Sequence, residues 1–232
     1  MRKSRLLYIS MSRSEKIWGW LYLAFSLIAL PTLLNLLNSK LAAPLDEGTL
    51  NFAFYCVNFL AICCIFSNFL GDSIVAAWRD LWNLIQAVVL GYVALWAATK
   101  ALNFAMSYLL PNFENINDSA ITSMAHTGYT LTAISVVILA PVVEEVLYRG
   151  LIFRNLYRSS QVAAYLLSMA AFAAIHVLGY IGSQSVTTLV ICFLQYLPAG
   201  LCLAWTYTKA DNIVAPIVVH ALVNAVAIGA VR

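Results

Sequence analysis

The sequence predicts an all-α fold: a polytopic bundle of about seven to eight transmembrane helices that encloses an intramembrane polar cavity. Of the 232 residues, 62% are hydrophobic and only 10% are charged, whereas soluble domains carry about 25% charged residues. Apolar runs long enough to cross a hydrocarbon core of about 30 Å recur from Ile17 to the C-terminus. This composition argues against a soluble enzyme. The basic residues lie at helix ends rather than on one helix face, so a lipid bilayer is the expected partner and no nucleic acid is.

The apolar runs predict a single integral-membrane domain over residues 1–232. Transmembrane helices are expected at residues 17–37, 50–70, 81–110, 129–151, 161–180, 185–207 and 213–231. The run at 81–110 is long enough to be either one tilted helix or a span followed by an interfacial segment. The polar stretch 111–128 is expected to be a loop. Residues 17–110 therefore form the N-terminal transmembrane helices, and residues 131–231 form the core that carries the polar motifs.

The distribution of basic residues predicts how the chain is oriented in the membrane. Arginines and lysines cluster in the N-terminal segment, at Arg79, in the segment 154–158 and at Lys209, whereas the loops on the other side contain only Lys40. Cytoplasmic loops are enriched in Lys and Arg, so the N-terminus is expected in the cytoplasm. Short loops and the lack of an organellar or sorting signal favour a prokaryotic cell membrane.

The later apolar runs contain polar residues that are costly in hydrocarbon and therefore mark a functional site by default. They are Glu144, Glu145, Arg149, His176, His220 and Asn224. Glu144 and His176 are each 16 residues from position 160, in the polar turn between their helices. Because an α-helix rises 1.5 Å per residue, both are expected at about 24 Å from this turn, where they can face each other. His220 is expected to join them, on the cytoplasmic half of the bilayer.

Spacing along each helix assigns roles to these residues. Glu145 and Arg149 are four residues apart, so they share a helix face and can form an ion pair. Glu144 is then free to act as a general base. His220 and Asn224 are also four apart, and their imidazole and amide can stabilise a developing oxyanion. Phe172 shares a face with His176 in the same way.

Two mechanisms for peptide hydrolysis fit this set of residues. Glu144 and His176 can activate a water molecule for attack on an amide, with His220 and Asn224 stabilising the tetrahedral intermediate. Glu144, His176 and His220 can instead bind a zinc ion with an open position for water. The zinc-peptidase motif with two histidines on one helix, H-E-x-x-H, is absent, and the sequence does not separate the two mechanisms.

The three motifs together resemble those of the type II CAAX prenyl endopeptidases, the CPBP family of CAAX proteases and bacteriocin-processing enzymes. The matching residues are Glu144-Glu145-x-x-x-Arg149, Phe172-x-x-x-His176 and His220-x-x-x-Asn224, within about residues 131–231. The resemblance implies an intramembrane endopeptidase with a cavity open to the cytoplasm and the bilayer. It also implies that Glu144 and His176 activate water, that His220 and Asn224 form the oxyanion site, and that Glu145 and Arg149 support the first motif.

The resemblance predicts hydrolysis near the C-terminus of membrane-associated or prenylated CAAX-type proteins or peptides. Eukaryotic members of the family remove the last three residues of prenylated proteins, whereas bacterial relatives are associated with bacteriocin immunity and peptide processing. Two alternatives stand beside this function. One is a non-catalytic membrane scaffold or bacteriocin-immunity protein of the same fold, which does not need Glu144 or His176. The other is a proton-coupled carrier, in which intramembrane Glu and His residues form a proton relay.

Overall fold

A computed structural model describes residues 7–231, and most of this range is helical. The helices are α1 (Arg13–Asn38), α2 (Glu47–Ile65), α3 (Ser67–Arg79), α4 (Leu81–Leu109), α5 (Ile116–Tyr157), α6 (Gln161–Leu178), α7 (Val186–Ala210) and α8 (Val214–Gly229). Within the described range, all of these except α3 and α8 are long and apolar enough to cross a membrane. The predicted all-α polytopic bundle is therefore confirmed.

Helix α3 is additional to the seven predicted spans. It arises because the helix predicted over the apolar run at 50–70 is interrupted, which the sequence does not reveal. Helix α2 ends before Phe66, whose φ of −106° and ψ of 28° interrupt helical geometry within this run. The Glu15 side chain then accepts a hydrogen bond from the backbone N–H of Phe69 at 2.8 Å. A helix leaves its first N–H groups without backbone partners and favours negative charge there. Glu15 in α1 therefore caps α3 and attaches it to the start of α1.

The stretch 111–128 is not the loop that its polar composition predicts. Asn115 accepts hydrogen bonds from the backbone N–H groups of Asn117 and Asp118, and α5 begins directly after this cap. The helix then bends at Gly128, which has φ −152° and ψ 67°. The prediction failed from residue 116 onward because part of this stretch, Asn117, Asp118 and Thr122, lines a cavity. The run at 81–110 forms one helix, α4.

Two π-helical segments of α5, Ser135–Leu139 and Val146–Phe153, flank the short α-helical segment Ala140–Glu145. In the first, the backbone N–H of Ala140 donates to the carbonyl of Ser135, five residues earlier. The same pattern would have Pro141 donate to Val136. Proline has no N–H, so the carbonyl of Val136 lacks this helical partner. Segments of this kind are frequent at functional sites.

Residues 7–12, α3, the α5–α6 turn and the α7–α8 turn lie at one end of the bundle, which we call the N-terminal end. Arg154 near the end of α5 donates to the carbonyl of Leu7 at 3.0 Å. Asp211 in the α7–α8 turn accepts from the N–H of Tyr8 at 3.1 Å, and Asn212 donates to the carbonyl of Ser73 in α3 at 2.9 Å. This grouping agrees with the side to which the basic residues assign these segments.

Candidate active site

Glu144 in α5 and His176 in α6 face each other, as their equal distance from the turn predicts. His176 Nε2 lies 3.9 Å from Glu144 Oε2, a separation that a bridging water can span. His176 Nδ1 donates to the carbonyl of Phe172 at 2.8 Å, because a carbonyl oxygen can only accept. In the neutral imidazole, Nε2 is then the proton acceptor, and this nitrogen faces the carboxylate.

Tyr55 in α2 completes the surroundings of Glu144. Its hydroxyl donates to Glu144 Oε1 at 2.9 Å. Among the described residues, the other oxygen, Oε2, has no hydrogen-bond partner and is buried. Leaving a buried carboxylate oxygen without a partner is costly. Glu144 is therefore held by one oxygen and presents the other to His176.

Glu145 is the centre of a second cluster, behind the first. Its Oε1 accepts from Arg149 Nη1 at 2.9 Å, which confirms the predicted pairing of these two residues. The same oxygen accepts from His220 Nδ1 in α8, also at 2.9 Å. Both Glu145 and Arg149 are completely buried. Spacing alone did not predict the contact with His220. This contact gives Glu145 a second role, because it holds the imidazole by Nδ1 and leaves Nε2 facing the cavity.

Arg149 is fixed on its remaining sides by α6 and α7. Its guanidinium carbon lies 4.2 Å from the centre of the Phe172 ring, a cation–π contact, and Nη2 donates to the carbonyl of Gly200 at 3.1 Å. A Cβ atom at Gly200 would lie 2.9 Å from the backbone of Met169, so glycine allows α6 and α7 to approach closely enough for this bond. Phe172, which the sequence predicts as a supporting residue, therefore contacts Arg149, and its part in the function stays a prediction.

Asn224 in α8 is bonded to the carbonyl that Pro141 leaves without a helical partner. Its Nδ2 donates to the carbonyl of Val136 at 2.7 Å. This bond satisfies a buried backbone acceptor, which is required inside a membrane, and it fastens α8 to α5. An amide has two N–H donors, so one remains for a substrate.

Tyr196 in α7 positions His176 from the other side. The two rings are stacked, with centroids 4.0 Å apart and an interplanar angle of 20°. The Tyr196 hydroxyl donates to Asp118 at 2.8 Å and accepts from Asn117 at 3.0 Å. The start of α5 thereby holds Tyr196, and Tyr196 holds the imidazole.

A cavity of about 570 Å³ joins these groups, and its size suits a small ligand or a short peptide segment. Glu144, His176, His220 and Asn224 line it, whereas Glu145 and Arg149 lie behind the wall. Other polar lining residues are Asn51, Tyr55, Thr99, Asn103, Asn115, Asn117, Asp118, Thr122, Tyr180, Gln195 and Tyr196. The structure thus brings the four candidate catalytic residues to one cavity.

The residues do not form a preassembled metal centre. In the part of the chain that the structure describes, no three His, Cys, Asp or Glu side chains are arranged to hold a metal ion. Of the three candidate zinc ligands, His220 binds Glu145 through Nδ1 and His176 binds its own helix backbone through Nδ1. The zinc site therefore stays a prediction, and no catalytic step below passes through a metal.

Sequence reasoning missed Tyr55, Tyr196 and Asp118. Tyr55 and Tyr196 lie in apolar runs, where a hydroxyl needs a partner because water is absent. That requirement is the signal that could have found them. Asp118 was assigned to the predicted loop, so its contact with the candidate site could not be foreseen.

A comparison with protein families supports the interpretation of the motifs. Residues 126–226 match the family described as type II CAAX prenyl endopeptidase Rce1-like. Comparison with curated proteins found no match, and neither did comparison with solved structures. The matched range contains Glu144, His176, His220 and Asn224 but not Tyr55. The apolar helices and this family together describe an integral, multi-pass membrane protein. The match covers less than half of the chain, and within residues 126–226 the chain is similar to the Rce1-like type II CAAX prenyl endopeptidases.

Proposed function

We propose that the protein is an intramembrane endopeptidase that hydrolyses peptide bonds near the C-terminus of membrane-associated or prenylated CAAX-type proteins or peptides. The family supports a CAAX-type intramembrane protease. The observation that carries the proposal concerns Glu144 Oε2, which has no hydrogen-bond partner among the described residues and lies 3.9 Å from His176 Nε2 at the wall of a cavity. Two proton acceptors at this separation can hold and deprotonate one water molecule.

In the proposed reaction, a water molecule bound between Glu144 Oε2 and His176 Nε2 attacks the carbonyl carbon of the peptide. One proton of this water passes to the Glu144–His176 pair as the new C–O bond forms. The pair then gives that proton to the leaving nitrogen, and the C–N bond breaks. The first products are a carboxylic acid and an amine, and Glu144 and His176 return to their starting state. The acid then gives its remaining proton to the amine or to solvent and becomes a carboxylate.

The negative charge that develops on the carbonyl oxygen is stabilised by His220 and Asn224. His220 donates from Nε2 when its ring is protonated, and Glu145 stabilises this charged ring through Nδ1 at 2.9 Å. Asn224 donates with the N–H that the Val136 carbonyl does not use. Donors fixed in this way stabilise the intermediate without reorganising during the reaction.

The test is cleavage of membrane-tethered and prenylated peptides by detergent-purified protein. We expect the wild type to cleave at least one peptide and Glu144→Gln to cleave none. The control is Glu114→Gln, which makes the same change at an exposed glutamate and should remain active. Equal activity of Glu144→Gln and the wild type would overturn the mechanism. If the wild type cleaves no peptide, the result favours the non-catalytic scaffold or immunity function over the protease.

Metal content, measured on the same samples, separates the two mechanisms that the sequence leaves open. Activation by Glu144 and His176 alone predicts that activity survives a chelator and does not follow zinc content. Stoichiometric zinc, together with loss of activity on chelation and recovery on adding zinc, would establish the metal mechanism with Glu144, His176 and His220 as the ligands to test.

A further inference from the structure

We propose that Asp118 is a positioning residue of the reaction and acts through Tyr196 to fix the imidazole of His176. The inference rests on the proposed endopeptidase function. It deepens that function because Asp118 lies before residues 126–226, the range that matches the family. In this proposal Asp118 does not touch the reacting atoms, and its effect passes through the hydroxyl and the ring of Tyr196.

The first argument concerns the contacts that fix the imidazole of His176. Its Nδ1 donates to the carbonyl of Phe172 at 2.8 Å. The terminal torsion of a histidine side chain has broad minima, so this hydrogen bond alone does not fix the plane of the ring. The Phe172 ring is tilted by 57° to the imidazole, whereas the Tyr196 ring is stacked on it at 4.0 Å and 20°. The direction in which Nε2 points therefore depends on Tyr196.

The second argument is that the start of α5 uses the hydrogen-bonding capacity of the Tyr196 hydroxyl. The hydroxyl donates to Asp118 Oδ1 at 2.8 Å, and a longer alternative acceptor, Asn115 Oδ1, lies at 3.3 Å. The hydroxyl oxygen accepts from Asn117 Nδ2 at 3.0 Å. A tyrosine hydroxyl has one hydrogen to donate, and this hydrogen is already engaged. Tyr196 therefore acts on the reaction through the position of its ring.

Asp118 is the principal acceptor in this contact between α5 and α7. Hydrogen bonds to a carboxylate are shorter and about twice as strong as bonds between neutral groups, and the bond to Asp118 is shorter than the alternative to Asn115. Asn115 is engaged elsewhere, since its Nδ2 donates to Gln195 Oε1 at 2.7 Å. Gln195 directly precedes Tyr196 in the chain. The start of α5 therefore holds two adjacent residues of α7, and Asp118 holds the one that carries the stacked ring.

Helix α5 thereby sets the position of both proton acceptors of the proposed reaction. After the bend at Gly128 it carries Glu144 itself, and before the bend it carries Asp118, which acts on His176 through Tyr196. The separation of 3.9 Å between Glu144 Oε2 and His176 Nε2 depends on both contacts. A displacement of about 1 Å in a catalytic group can lower a rate about 100-fold. Loss of the Asp118 contact is therefore expected to slow the reaction.

The first experiment measures kcat, KM and the thermal midpoint of the detergent-purified protein and its variants. We expect Asp118→Ala to lower kcat about 10- to 100-fold, up to the loss that a displacement of about 1 Å can cause, with little change in KM or thermal midpoint. Asp118→Asn keeps an acceptor oxygen and should retain most of the kcat that Asp118→Ala loses. The control is Glu114→Ala, at an exposed acid four residues earlier that is not among the described lining residues of the cavity.

A double variant tests whether Asp118 acts through Tyr196. Tyr196→Phe already removes the hydroxyl that Asp118 holds, so adding Asp118→Ala should lower kcat no further. A double variant whose loss equals the product of the two single losses would overturn the inference, and so would wild-type kcat in Asp118→Ala. A loss of kcat in Asp118→Ala that accompanies an equal loss of folded protein would assign Asp118 to the fold alone and would overturn it too.

The second experiment observes the imidazole directly and needs no substrate. The chain has three histidines, so protein labelled with ¹³C in its histidine rings gives three sets of ring signals in an NMR spectrum, which His126→Gln and His176→Gln assign. The ring current of a stacked tyrosine shifts the ring-proton signals of His176 to lower frequency. We expect this shift in the wild type and in Asp118→Asn, and a smaller shift in Asp118→Ala.

The outcomes separate this inference from the proposed function. Identical His176 signals in Asp118→Ala and in an active wild type would overturn the positioning inference alone. Failure of the wild type to cleave any peptide would overturn the proposed function and, with it, the role of Asp118 in the reaction.

Discussion

Replacement of Glu145 tests whether one buried carboxylate serves both the fold and the reaction. Glu145 Oε1 holds Arg149 and His220, each at 2.9 Å, and both Glu145 and Arg149 are completely buried. Removing one partner of a buried ion pair leaves an uncompensated charge and costs about 3–5 kcal/mol. This cost corresponds to a factor of about 150 to 5,000 in the ratio of folded to unfolded protein. We therefore expect Glu145→Ala to lower both the folded yield and the thermal midpoint.

The double variant Glu145→Leu with Arg149→Met separates the two tasks. Replacing both members of a buried ion pair by apolar residues of similar size is often neutral or stabilising, so the double variant should recover most of the lost stability. It should not recover activity, because His220 Nδ1 then has no carboxylate to hold the ring or to stabilise its charged form.

The assays are thermal unfolding in detergent and peptide cleavage, applied to the wild type, Glu145→Ala and the double variant. Two results would refute the reasoning. A Glu145→Ala protein as stable as the wild type would mean that Arg149 does not depend on this pair. A double variant with wild-type kcat would mean that the contact between Glu145 and His220 has no part in the reaction.

Three further substitutions probe single hydrogen bonds. Tyr55→Phe removes the hydrogen bond to Glu144 Oε1, and a bond to a charged group contributes about 1.5–3 kcal/mol. We therefore expect kcat/KM to fall about 10- to 150-fold with little change in thermal midpoint. An unchanged kcat/KM would show that Tyr55 is dispensable. Tyr196→Phe keeps the stacked ring, so it should retain more activity than Tyr196→Ala; the opposite order, measured by kcat/KM, would contradict the stacking argument. Asn224→Ala leaves the Val136 carbonyl buried without a partner, at a cost of about 1–3 kcal/mol. We therefore expect thermal stability and activity to fall together. Normal thermal stability would mean that this bond does not hold α8.

Much of the fold could be predicted because apolar length and helical rise are properties of the sequence itself. The facing of Glu144 and His176 followed from their equal distance to one turn, and the pairing of Glu145 with Arg149 followed from a spacing of four residues. These predictions needed only one helix, or two antiparallel helices joined by a short turn. The rules of a regular α-helix were sufficient for them.

The features that the sequence did not predict depend on contacts between distant helices or on departures from a regular α-helix. The bond from Tyr55 to Glu144 joins residues 89 positions apart, and nothing near Tyr55 in the sequence indicates its partner. The π-helical segments of α5 change the register on either side of Glu144, and Pro141 gives only an indirect signal of them. The distance of each residue from a helix end does not show how these helices pack against one another.

In the proposed mechanism, Glu144 and His176 act on the same water molecule. The most direct test compares kcat for Glu144→Gln, His176→Gln and the double variant, with His126→Gln as the control at an exposed histidine. Each single variant should lose about 10²- to 10⁴-fold, the usual contribution of general acid–base catalysis. The effects of replacing groups that act as a unit are not additive. The kcat of the double variant should therefore be no lower than that of the less active single variant. A double variant whose loss equals the product of the two single losses, or a single variant with wild-type kcat, would contradict the shared-water mechanism.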